Sequence, residues 1–219
     1  SFLSGGFFLY ALFYFFSALR LADASRVQPI ILSLTPLILF VLESYGLKTV
    51  FGANELYAAF FLITGSVVLS LDFEKREKAG YRIFIFYSLA AAVLFALSAF
   101  LMKQLFITED FFNIIIWTRL GMFLGALSLL FFASARNSIF SSSKVMSRPK
   151  ASGGVLLNKI LGAIGALLIS FALSRGPATL VNALQGLQYA FVFILAAILY
   201  IFLPGVVREN FGKKAIIQK

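Results

Sequence analysis

The chain contains neither cysteine nor histidine among its 219 residues. That excludes disulfides, a thiolate nucleophile, the usual zinc sites and histidine-ligated haem. Charge is scarce too: Asp, Glu, Lys and Arg make up 13% of the chain against 61% hydrophobic residues. A soluble domain of this length needs more polar surface than that, and a mean hydropathy of +0.96 points to a lipid bilayer as the surrounding medium. Residues 1–19, 83–102 and 176–207 carry no charged side chain. The net charge of +10 does not indicate nucleic acid, because the basic residues sit in short connectors between apolar runs, where they set membrane orientation.

What is present are long apolar runs. A helix needs about 20 apolar residues to cross the hydrocarbon layer, and seven segments qualify: 3–20, 25–43, 55–72, 82–103, 111–133, 154–174 and 178–203. Residues 1–19 lack the charged front and cleavage site of a signal peptide and read as a span. Continuous runs such as 83–102 do not alternate as barrel strands do, so the expected fold class is all-α, a polytopic membrane protein. The stretch 133–154, rich in Ser, Gly and basic residues, reads as a surface loop. Seven crossings place alternate connectors on opposite faces, and Lys and Arg then divide fifteen to three. The rich face includes Arg20, Arg26, Lys75, Lys78, Arg136 and Lys144; the poor face has Lys48, Lys103 and Arg175. The rich face is expected in the cytoplasm.

An internal repeat emerges at an offset of 154 residues, which pairs Ala18 and Leu19 with Ala172 and Leu173, Ala24 with Ala178, Val27 with Val181 and Glu55 with Glu209. Five crossings separate the copies. An odd number inverts the second copy, as in the inverted-repeat folds of secondary transporters. A span follows Glu55 but none follows Glu209, and nothing stands before the first span to match the fourth and fifth. The expectation is a piece of a ten-span chain, with a native seven-span protein as the alternative.

The runs ALRLADASRVQPIILSLTPLILFVLE, NELYAAFFLITGSVVLSLD, TRLGMFLGAL and ALSRGPATLVNALQGLQYAFVFILAAIL resemble the EamA-like family of the drug/metabolite transporter superfamily. The resemblance covers nearly the whole chain. It implies helices three to nine of a ten-helix inverted repeat, residues 1–80 closing the first half and 81–219 supplying most of the second. It also implies export or exchange of small metabolites. The expected location is the cytoplasmic membrane of a bacterium or archaeon, with a small-molecule substrate and the lipid bilayer as partners, no nucleic acid and no cofactor or metal.

Candidate site residues fall on four spans. Gln28 and Thr35 lie seven residues apart on one helix face, and Pro36 frees a mid-span carbonyl that a cavity or a neighbouring helix must satisfy. These residues read either as a cavity wall or as a packing kink; the resemblance implies the wall. Asn182, Gln185, Gln188, Tyr189 and Tyr200 share about a third of a helix circumference at 100° per residue. Amides and phenols facing lipid are costly, so this face looks inward, lining a polar cavity or bonding between helices. Tyr10, Tyr14 and Ser17 form a weaker stripe that packing also explains. Arg119 stands about 13 Å beyond Asp110 at 1.5 Å per residue. That depth costs roughly 3 kcal/mol unless the side chain is paired or reaches water. It can bind an anionic substrate group, snorkel to an interface or cap carbonyls of a neighbour; the resemblance at Arg119-Leu120 implies a structural role. Gly121 and Gly125, and Gly162 with Ala166, read as close helix contacts.

The functional expectation is a secondary transporter working by alternating access rather than an enzyme. A channel or structural membrane subunit, and then a membrane-embedded enzyme, are the alternatives. The chain has no GxxxxGK loop, so ATP does not drive it. Its carboxylates, Glu43 among them, read as charges at or near span ends. Proton coupling is therefore expected only through groups outside these spans, with facilitated flux or exchange otherwise.

Overall fold

The structure, a computed structural model, describes residues 1–22, 24–70, 78–131, 149–188 and 191. Among them are seven α-helices: α1 (Phe2–Leu19), α2 (Ala24–Gly46), α3 (Ala53–Ser70), α4 (Lys78–Thr108), α5 (Phe111–Leu129), α6 (Pro149–Arg175) and α7 (Ala178–Leu184). The described residues contain no strand. Among the described residues five helical stretches are long and apolar enough to cross a bilayer, namely Phe2–Leu19, Val27–Gly46, Arg82–Thr108, Phe111–Leu129 and Gly154–Arg175. Helices are the form such runs must take, because lipid offers no partner to an open backbone N–H or C=O.

α1 and α4 form the centre. α1 packs against α4 and α5, while α2 packs against α4, α3 and α7. Small side chains permit this: Ser4, Ala11 and Ala18, seven residues apart, are fully buried along one face of α1. Ser4 and Ser98 tie α1 to α4 reciprocally, each hydroxyl donating to the other's carbonyl at 2.9 Å. On α5 the buried face is Ile114, Thr118, Gly121 and Gly125, a helical spacing. A Cβ at Gly5 would overlap the backbone of Thr118 and Met122, and one at Gly121 the backbone of Phe2. The expected close contact at Gly121 and Gly125 is thus with α1.

Three features depart from the sequence reading. α6 starts at Pro149, inside the expected loop, because proline fits the first helical position, where no N–H is needed. Among the described residues nothing lies within 4 Å of a Cβ at Gly162, and α6 leaves Leu161, Ile164 and Leu168 exposed around it, an apolar face that lipid can cover. The expected continuous span 178–203 begins as α7 but tightens at Gln185–Leu187 into a 3₁₀ turn around Gly186. Residues 192–219 lie outside the described residues.

Candidate functional site

A cavity of about 350 Å³ opens between α1, α2, α4, α5, α6 and α7. Two apolar clusters adjoin it. Ala18, Val27, Phe84 and Ala91 pack where α1 stops and α2 starts. Leu39, Ala96, Leu173 and Ala178 pack where α6 meets α7, and Leu173 also lines the cavity.

Six of the twelve candidate residues line this cavity: Gln28 and Thr35 from α2, Arg119 from α5, and Asn182, Gln185 and Gln188 from α7 and the turn after it. Pro36 is fully buried but not in the wall. Its neighbour Thr35 donates to the Ile31 carbonyl at 2.7 Å, one turn back. Tyr10 and Tyr14 do not line the cavity. The Tyr10 and Ser128 hydroxyls bond at 2.8 Å and join α1 to α5, while Tyr14 packs on Phe86 and Tyr87 of α4. Ser17 bonds its own helix at the Phe13 carbonyl. Tyr189 and Tyr200 lie outside the described residues.

The amides on α7 are ordered by one another. Asn182 donates from Nδ2 to the Ala178 carbonyl at 2.9 Å, and its Oδ1 accepts from Gln185 Nε2 at 3.5 Å. The 3₁₀ turn then carries the stripe on to Gln188, which also faces the cavity. Ser98, Thr118 and Ser170 also line the wall, and Phe8, Phe15, Phe95, Met102 and Met122 make much of the rest apolar. These residues were not singled out from sequence. The spacing Ile115, Thr118, Arg119, Met122 is a helical face that could have drawn Thr118 in beside Arg119.

Glu43 is the larger omission. It lies within the apolar stretch Val27–Gly46, its side chain fully buried, because α2 continues past residue 43 to Gly46. Glu43 thus stands near a span end, as the sequence suggests, but buried and bonded rather than facing solvent. Its carboxylate accepts from the Ala178 N–H at 2.6 Å, the Thr179 N–H at 2.8 Å and the Thr179 hydroxyl at 2.6 Å. The first N–H groups of a helix have no partner within it, and the helix dipole favours an anion there. Glu43 satisfies both and pins α2 to the α6–α7 junction, 135 residues away. Lys103 of α4 donates to the Leu173 carbonyl at 3.2 Å and interacts electrostatically with Glu43. The helical register Thr35, Leu39, Glu43 was the available signal, since all three are buried on one face.

No family model, curated protein or solved structure matches the chain. The site is therefore read from its own chemistry. Among the described residues no three His, Cys, Asp or Glu side chains converge to hold a metal ion. The cavity wall offers amides, hydroxyls and one guanidinium over an apolar lining, a combination suited to binding and orienting a small molecule.

Proposed function

We propose that the protein is a secondary transporter that moves a small polar metabolite across the membrane by alternating access, with this cavity as its substrate site. One observation carries the reading: polar side chains from α2, α5 and the α7 segment converge on one cavity among the helices, beside two apolar clusters. Polar groups at membrane depth are expensive and mark substrate paths. A transporter needs such a chamber and a packed barrier to one side of it at a time. The resemblance to the EamA-like family supports the same reading.

An inverted-repeat architecture belongs to this proposal. α2 begins at Ala24 and α7 at Ala178, 154 residues apart, the offset of the sequence repeat. In this arrangement the seven helices come from two inverted halves, and alternating access is a rocking of one half against the other. The 3₁₀ turn at Gln185–Leu187 and the Gly176-Pro177 break before α7 are places where the second half yields. Flux through full-length protein in sealed liposomes tests the proposal. Uptake that saturates with solute concentration and needs no ATP supports it; uptake no faster than into protein-free liposomes contradicts it.

A further inference from the structure

We infer that the cavity's ligand is a small organic anion with an apolar, ring-sized body, its charged group held by Arg119 of α5. This deepens the transport proposal by naming the substrate class, but the binding site stands or falls on its own test.

The charge comes first. Among the described residues Arg119 is the only ionisable one lining the cavity, with no carboxylate in the wall to neutralise it. Its one hydrogen bond among the described residues goes to the Met122 thioether sulfur at 3.8 Å, a weak acceptor. It caps no carbonyl of a neighbouring helix, which a structural arginine at this depth would do. A guanidinium beside apolar walls, lacking a counter-anion, favours a ligand that brings one, and its fork of N–H donors matches a carboxylate, sulfonate or phosphate.

Thr118, the residue before Arg119, is 8% exposed, and its hydroxyl is buried with no hydrogen-bond partner among the described residues. That hydroxyl is shut off from the cavity and takes no part in the anion site. The backbone is fixed here, because Gly5 of α1 lies directly against the Thr118 carbonyl. Arg119 is therefore carried on a held stretch of α5.

The body of the ligand follows from the remaining walls. Phe8, Phe15, Phe95 and Met102 offer aromatic and thioether surface, and 350 Å³ is near the small end of ligand pockets, about 300–1,000 Å³. The amides of Asn182 and Gln185, on the opposite element, orient any further polar substituent.

Three probes of one size separate the possibilities in full-length protein in nanodiscs at pH 7: benzenesulfonate, permanently anionic; benzenesulfonamide, neutral; and phenyltrimethylammonium, cationic. Equilibrium dialysis should give benzenesulfonate a Kd at least tenfold below those of the other two. Arg119→Gln should erase that preference, and Arg119→Lys should keep most of it. The wild-type comparison alone decides the matter if a variant fails to fold. Equal binding of the three, tighter binding of the cation, or no binding of the anion overturns the inference. Uptake of the same probes into liposomes separates this from the transport reading. Anion-selective binding with no saturable uptake leaves the site standing and sinks transport, whereas saturable uptake without anion preference does the reverse.

Discussion

Replacing Glu43 with alanine removes the buried acceptor that holds α2 against the α6–α7 junction. Three hydrogen bonds go, two to backbone N–H groups and one to the Thr179 hydroxyl, all between 2.6 and 2.8 Å. Bonds to a charged partner contribute about 1.5–3 kcal/mol each, and each donor left unsatisfied in a buried place costs about 1–3 kcal/mol. These figures describe overlapping parts of one loss and do not add. Part is recovered where water or a shifted carbonyl reaches the Ala178 and Thr179 amides. Lys103 loses a nearby opposite charge as well, so the net expectation is about 3–5 kcal/mol, the range for breaking a buried charged interaction. Glu43→Gln keeps one acceptor oxygen but turns an NH₂ toward the donors, so it should fall between wild type and Glu43→Ala. Reversible unfolding in mixed micelles of increasing SDS fraction reads these differences directly. Glu43→Ala within about 1 kcal/mol of wild type would refute the argument, because no cap of this kind is worth so little.

Other expectations are more local. Gly5→Ala should destabilise by about 1–3 kcal/mol through overpacking against α5, whereas Gly6→Ala, with nothing within 4 Å of its Cβ, should be near neutral in the same SDS titration. Gln185→Leu should impair uptake while costing at most about 2 kcal/mol of stability; wild-type uptake normalised to folded protein would remove α7 from the site. A cysteine introduced at Ser142 should resist impermeant thiol reagents in intact cells, since a seven-crossing topology puts residues 136–159 on the basic face, and ready labelling would reverse the orientation.

The helices were legible because each is an apolar run bracketed by charge, and lipid leaves such a run little choice of structure. The polar stripe on α7 was legible for the same reason: Asn182, Gln185 and Gln188 share a face that cannot meet lipid cheaply, and all three line the cavity. Glu43 was not, because its partners are backbone N–H groups at Ala178 and Thr179, which carry no sequence signature and become a binding site only when α2 and α7 pack. Thr118 looked like any threonine in a membrane helix, where a back-bond to the preceding turn is the ordinary outcome; its missing partner appears only in coordinates. Nor does the Gly5-Gly6 pair say which member faces α5, although a Cβ has room at Gly6 and none at Gly5. Tyr10, Tyr14 and Ser17 form one stripe of α1 and the cavity-lining Phe8 and Phe15 lie nearly opposite at 100° per residue, and the sequence does not say which side meets the cavity.

The central claim is that solute crosses through this cavity by alternating access. The most direct measurement is the concentration dependence of benzenesulfonate uptake into liposomes holding full-length protein, wild type beside Gln185→Leu. Uptake that saturates, that internal unlabelled solute accelerates by exchange, and that falls severalfold in the variant at equal folded protein is the predicted result. Uptake that rises linearly with concentration to the solubility limit would mean a channel, and none above protein-free liposomes would contradict transport of this solute class.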